Sequence, residues 1–84
     1  MEYKVYKIIE VESIGGFNLK VKFENGITKR YDVNPLFNKW KIFNELKNNN
    51  LFEDVKVDTG GYGISWNDDI DLSCNELYEN GKEM

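Results

Sequence analysis

The 84-residue sequence predicts an α+β fold: a small antiparallel or mixed sheet of about five strands packed with one amphipathic helix and a short C-terminal helix. Three observations carry this expectation. Apolar and polar residues alternate strictly from Phe17 to Phe23, apolar residues recur at spacings of four, three and three from Leu36 to Leu46, and a helix-start signature begins at Ser73. The elements follow in the order β, ββ, α, ββ, α without repeat, linker or low-complexity segment, so residues 1–84 read as one domain.

The first strand is expected over Val5 to Val11, a stretch rich in β-branched and aromatic residues that leads to a turn at Gly15-Gly16. Val5, Ile9 and Val11 would share one face, Tyr6 and Ile8 the other. In the next strand Phe17, Leu19, Val21 and Phe23 point one way, and Asn18, Lys20 and Lys22 the other. Ile27, Tyr31 and Val33 continue the apolar face after Glu24-Asn25-Gly26, interrupted by Lys29. A two-residue Asn25-Gly26 loop would scatter these residues over both faces. A three-residue loop closed by a left-handed Gly26 instead sets Phe23 opposite Ile27, Leu19 opposite Tyr31 and Phe17 opposite Val33, and is the register expected.

Asn34-Pro35 reads as a helix cap followed by proline at the first helical position. Leu36, Trp40, Phe43 and Leu46 form the stripe of that helix, with Phe37 and Ile42 beside it, ending at Lys47-Asn48-Asn49-Asn50. A second hairpin follows, from Val55 and Val57 through Gly60-Gly61 to Tyr62, Ile64 and Trp66. The opposite face of its second strand carries Gly61, Gly63 and Ser65, small enough for another segment to lie close over it. Ser73 and Glu76 form a capping box flanked by Leu72 and Leu77, which predicts a helix to about Glu79, ending before Gly81.

Composition narrows the function classes. Eleven basic residues against fifteen acidic ones give a net charge of −4, which opposes contact with nucleic acid and anionic lipid at the level of the whole molecule. No stretch approaches the roughly 20 apolar residues of a membrane helix, and no apolar leader core follows Met1-Glu2-Tyr3-Lys4, so a cytoplasmic location is expected. Histidine is absent and Cys74 is the single cysteine. Histidine-dependent triads, imidazole-bearing metal sites and internal disulfides are therefore excluded within this chain.

The remaining motifs favour ordinary roles. Asn67-Asp68-Asp69-Ile70-Asp71 offers oxygen ligands, but an EF-hand starting at Asn67 would need Gly at position 72 and Glu at position 78, where Leu72 and Tyr78 stand. A solvated turn leading to Ser73 is expected. Gly60-Gly61-Tyr62-Gly63 lacks the Lys and Ser/Thr of a phosphate loop and reads as a β turn. Cys74 has neither a base nor a resolving partner, and Trp40 and Trp66 read as core anchors. No catalytic residue, metal ligand or cofactor site is nominated. The candidate partner-binding residues are Lys20, Lys22 and Arg30, gathered on the outer face of the first hairpin, where Lys20 opposite Arg30 repels unless an acid or anion is near. That face reads either as a solvated, aggregation-resistant surface or as a contact for nucleic acid or an acidic partner.

The run Leu19 to Gly26 into Tyr31-Asp32-Val33, then Phe43-Asn44-Glu45-Leu46, Leu51 to Val55, Ile64-Ser65-Trp66-Asn67 and Ile70-Asp71-Leu72, resembles the bacterial family termed domain of unknown function 2442. The resemblance spans about Val5 to Tyr78. It implies a small α+β domain without established activity and defines no functional residue. Some members carry an added helix-turn-helix, for which this chain, stopping at Met84, leaves no room. Others are encoded beside a second small protein in a toxin–antitoxin-like arrangement. A non-catalytic module binding a protein partner is thus expected first, and nucleic-acid association or regulation through Lys20, Lys22 and Arg30 is the alternative.

Overall fold

A computed structural model describes residues 5–84; the Met1-Glu2-Tyr3-Lys4 reading lies outside them. Alternation builds the central hairpin. Strands β1 (Ile8–Ser13), β2 (Asn18–Phe23) and β3 (Thr28–Asp32) form an antiparallel meander, with Leu19, Val21 and Phe23 of β2 fully buried. The bulged register is the one observed. Leu19 pairs with Tyr31 and Lys20 with Arg30, the Phe23 N–H donates to Ile27 O at 2.9 Å, and the Gly26 N–H donates back to Phe23 O at 3.0 Å. Gly26 has φ +89°, and a Cβ added there would meet nothing within 4 Å. Gly26→Val should therefore cost only the left-handed strain, about 1–2 kcal/mol, read as a lower urea midpoint at unchanged slope; no loss would contradict the turn.

The first strand begins later than expected and runs further. A bulge at Ile9 lets Ile8 pair with Phe23 and Glu10 with Lys22, so Ile8 is buried while Ile9 faces solvent. Strict alternation from Val5 therefore misassigned Ile9. Lys29, the polar interruption in β3, also finds a structural partner. Its ammonium lies over the Tyr78 ring, 4.0 Å from the centroid, and donates to Tyr78 O near the end of the last helix.

The expected long amphipathic helix is broken. Only Leu36–Lys39 is α-helical (α1), Trp40 is extended at φ −134° and ψ 117°, and Lys41–Lys47 continues as a 3₁₀ helix. Phe43 and Leu46, three residues apart, suit the three-residue turn of that helix and are both buried. Asn44 stabilises the break by donating from Nδ2 to Phe37 O at 2.9 Å. Asn34 does not cap with its side chain; it donates instead to Gly16 O at 2.8 Å and to Asp32 Oδ1 at 2.7 Å, tying two loops together. Asn49 and Asn50 adopt left-handed backbone, as turn asparagines can. A further 3₁₀ turn, Leu51–Asp54, brings Phe52 into the core.

The second sheet contains β4 (Lys56–Val57), β5 (Gly63–Ser65) and β6 (Asp71–Ser73), all antiparallel, in the order β4-β5-β6. Ile64 and Trp66 are buried, but Tyr62 lies in the turn before β5 and is 55% exposed rather than sharing their face. The close approach expected over the small residues is real at Gly61, where an added Cβ would lie 2.6 Å from the Ile8 carbonyl oxygen of β1. The Asn67 turn joins β5 to β6, with Asn67 Oδ1 accepting from the N–H groups of Asp69 at 2.9 Å and Ile70 at 3.0 Å. That turn is the asparagine-initiated form expected of its sequence.

The last helix, α2 (Cys74–Asn80), starts where its signature places it. Ser73 Oγ accepts from the Glu76 N–H at 3.1 Å, and Leu72 and Leu77 are buried. Glu76 does not complete the capping box; its carboxylate accepts from Tyr31 instead. Beyond it, β7 (Lys82–Glu83) pairs with β3, giving a first sheet ordered β1-β2-β3-β7. The described residues thus hold seven strands in two antiparallel sheets, more than the five expected, because β6 and β7 are too short to show a period. One apolar core joins both sheets, α1, the 3₁₀ segments and α2.

Candidate functional site

Cross-strand pairing places Lys20 and Arg30 side by side on the outer face of the first sheet, with Lys22 one pair along, as expected. The third strand of the meander alters what that face means. Pairing with β1 sets Glu12 opposite Lys20 and Glu10 opposite Lys22, and β7 adds Lys82 opposite Arg30. Glu12 Oε1 lies 3.7 Å from Lys20 Nζ, with both side chains about half exposed or more. Such a surface pair contributes little stability. It does place negative charge beside the lysines. Glu10, Glu12, Lys20, Lys22 and Thr28 line a shallow groove of about 240 Å³, mixed in charge rather than basic.

A second concavity arises where the α1 segment breaks. An unbroken helix would carry Trp40 on the same stripe as Leu36 and Phe43, but the extended backbone at residue 40 leaves the indole 44% exposed. Trp40 is thus corrected from core anchor to surface residue, whereas Trp66 is buried with Nε1 donating to Phe52 O at 3.0 Å. The two indoles belong to one aromatic series. Trp40 rests on Phe43 with centroids 5.8 Å apart, Phe43 meets Trp66 edge-on at 6.3 Å, and Trp66 stacks on Phe52 at 5.9 Å. The exposed ring is therefore held by the core. Ile42, two residues on, is 39% exposed.

Trp40 and Phe43 line a shallow, open cleft of about 360 Å³ together with Asp69, Asp71, Leu72, Ser73 and Glu76. The β5–β6 turn supplies Asp69, β6 supplies Asp71, and the first turn of α2 supplies Glu76. Glu76 is fixed in place, because its Oε2 accepts from the Tyr31 hydroxyl at 2.8 Å. No ion pair neutralises Asp69, Asp71 or Glu76 among the described residues. Sequence reading missed this cleft. Its carboxylates were visible only as turn and cap residues, and its tryptophan lay on a helical stripe.

Burial, then the hydrogen bond and charge of Glu76 and the charge of Asp32, push the Tyr31 phenol well above the ordinary tyrosine value. The folded state holds a proton that the unfolded chain releases near pH 10. Its contribution to stability is therefore complete below about pH 10 and is lost as pH rises beyond it. Tyr31→Phe should cost about 1 kcal/mol at neutral pH and give a shallower alkaline loss in urea titrations. An unchanged alkaline slope would contradict this assignment.

Cys74 is buried and free. No helix among the described residues is long and apolar enough to cross a membrane.

The architecture is that of a small α+β domain: two short antiparallel sheets sharing one core, with an aromatic-lined cleft at a broken helix. The family model described as a protein of unknown function, DUF2442, matches residues 8–83, and the chain belongs to that family. No curated protein and no solved structure matches it.

Proposed function

We propose that this chain is a non-catalytic protein-interaction module whose contact surface is the Trp40 cleft. The observation that carries the reading is Trp40 itself: a large aromatic ring exposed to solvent yet held by Phe43. Tryptophan is among the side chains that most often dominate binding energy once a partner buries it in a protein contact. The partner this reading expects is another protein, such as the second member of a toxin–antitoxin-like pair.

The alternative, nucleic-acid association or regulation through Lys20, Lys22 and Arg30, has less support. Glu10 and Glu12 border the two lysines and the net charge is −4, both of which weaken attraction to phosphate. Affinity capture from the source cell with the wild-type chain and with Trp40→Ala tests the proposal. One protein should be retained by the wild type and lost from the variant. Equal retention by both would remove Trp40 from the contact.

A further inference from the structure

Resting on the interaction-module reading, we infer that the Trp40 cleft takes a cationic segment of its partner, an arginine or lysine side chain lying between the indole and the carboxylates of Asp69, Asp71 and Glu76. Charge complementarity identifies this occupant. The cleft is lined by Trp40 and Phe43 and by three carboxylates, and no basic side chain among the described residues lines it. An apolar segment would leave those charges beside a low-dielectric contact without compensation, and an acidic segment would be repelled. A guanidinium or ammonium satisfies both kinds of group at once, through its charge on the carboxylates and its face on the indole.

The chain already shows the ring holding a cation. Lys39 Nζ lies 4.6 Å from the centroid of Trp40, although Lys39 is not among the cleft-lining residues. The Tyr31 hydroxyl holds part of the site ready before any partner arrives, since it fixes Glu76 at 2.8 Å.

A fluorescently labelled dodecapeptide of repeating arginine, leucine and serine, with a glutamate-for-arginine control, tests this by anisotropy. The wild type should bind the arginine peptide saturably and leave the control unbound. Asp69→Asn with Asp71→Asn should weaken binding about tenfold, and Trp40→Ala about fivefold. Glu53→Gln with Asp54→Asn changes net charge equally at residues outside the cleft, and should alter binding less than about twofold.

Equal weakening by the two double variants would reduce the effect to net charge and overturn the inference. Failure of the arginine peptide to saturate, or equal binding of the glutamate peptide, would do the same. A second copy as the occupant would appear as concentration-dependent dimerisation lost in Trp40→Ala during sedimentation, and would also overturn it. The interaction-module reading survives any of these results if capture from the cell still depends on Trp40, and fails if it does not.

Discussion

Gly61→Val should destabilise the domain by about 2–5 kcal/mol, the sum of left-handed strain and overpacking. Gly61 has φ +80°, and a Cβ there would lie 2.6 Å from the Ile8 carbonyl oxygen and 3.2 Å from the Ile8 backbone nitrogen. These contacts are backbone, so no side chain can swing aside. Relief requires the turn before β5 to move away from β1, opening the junction between the two sheets. Gly26 is the internal control, with a similar φ of +89° and open space around its missing Cβ. The excess loss in Gly61→Val over Gly26→Val measures the steric part alone. Equal urea midpoints for the two variants would show that β1 does not lie against Gly61.

Phe23→Ala should cost about 3–5 kcal/mol, through lost burial and the cavity left behind. Phe23 is fully buried, pairs with Ile8 across the β1–β2 ladder, and meets the Tyr78 ring edge-on with centroids 5.0 Å apart. Tyr78 in turn stacks on Tyr6 at 4.1 Å. Removing the Phe23 ring therefore loosens the first sheet and α2 together. Stability for a chain of this length is about 4–13 kcal/mol, so the loss is a large share of the whole. Equilibrium unfolding reads it directly, and a loss below about 1 kcal/mol would mean that the ring is not in the core.

The features that could be read from residues alone are those fixed by local chemistry. The Glu24-Asn25-Gly26 loop had one register that kept Phe23, Leu19 and Phe17 on the face of their partners, and the structure has that register. Ser73 caps α2 because a hydroxyl three residues before an N–H can accept from it wherever the chain goes next. Features decided by tertiary contact were not legible. The helical stripe at Leu36, Trp40, Phe43 and Leu46 also fits a short helix, a break and a 3₁₀ turn, and tertiary contacts such as Phe43 against Trp66 are not encoded in that spacing. Lys82 and Glu83 carry no apolar period, so β7 exists through its pairing with β3 alone.

The candidate site divides in the same way. Lys20, Lys22 and Arg30 came together as their alternation required, but the glutamates beside them depend on how β1 pairs, and the bulge at Ile9 sets that register. The Trp40 cleft draws on the α1 break, the β5–β6 turn and α2, segments up to about two fifths of the chain apart. No local pattern could have joined them. Its one sequence signal was Trp40 itself, which strengthened the case for a helix and so hid the site.

The proposed contact runs through Trp40 rather than the Lys20, Lys22 and Arg30 face. It is tested most directly by one pair of amide correlation spectra of ¹⁵N-labelled protein, recorded without and with the captured partner. The two indole N–H signals separate the core from the cleft, because the Trp66 indole is buried and bonded to Phe52 O while the Trp40 ring is exposed. The Trp40 indole signal should shift or broaden, together with the amides of Asp69 and Asp71, while Trp66 holds its position. Shifts confined to Lys20, Lys22 and Arg30, with the Trp40 indole unmoved, would contradict it.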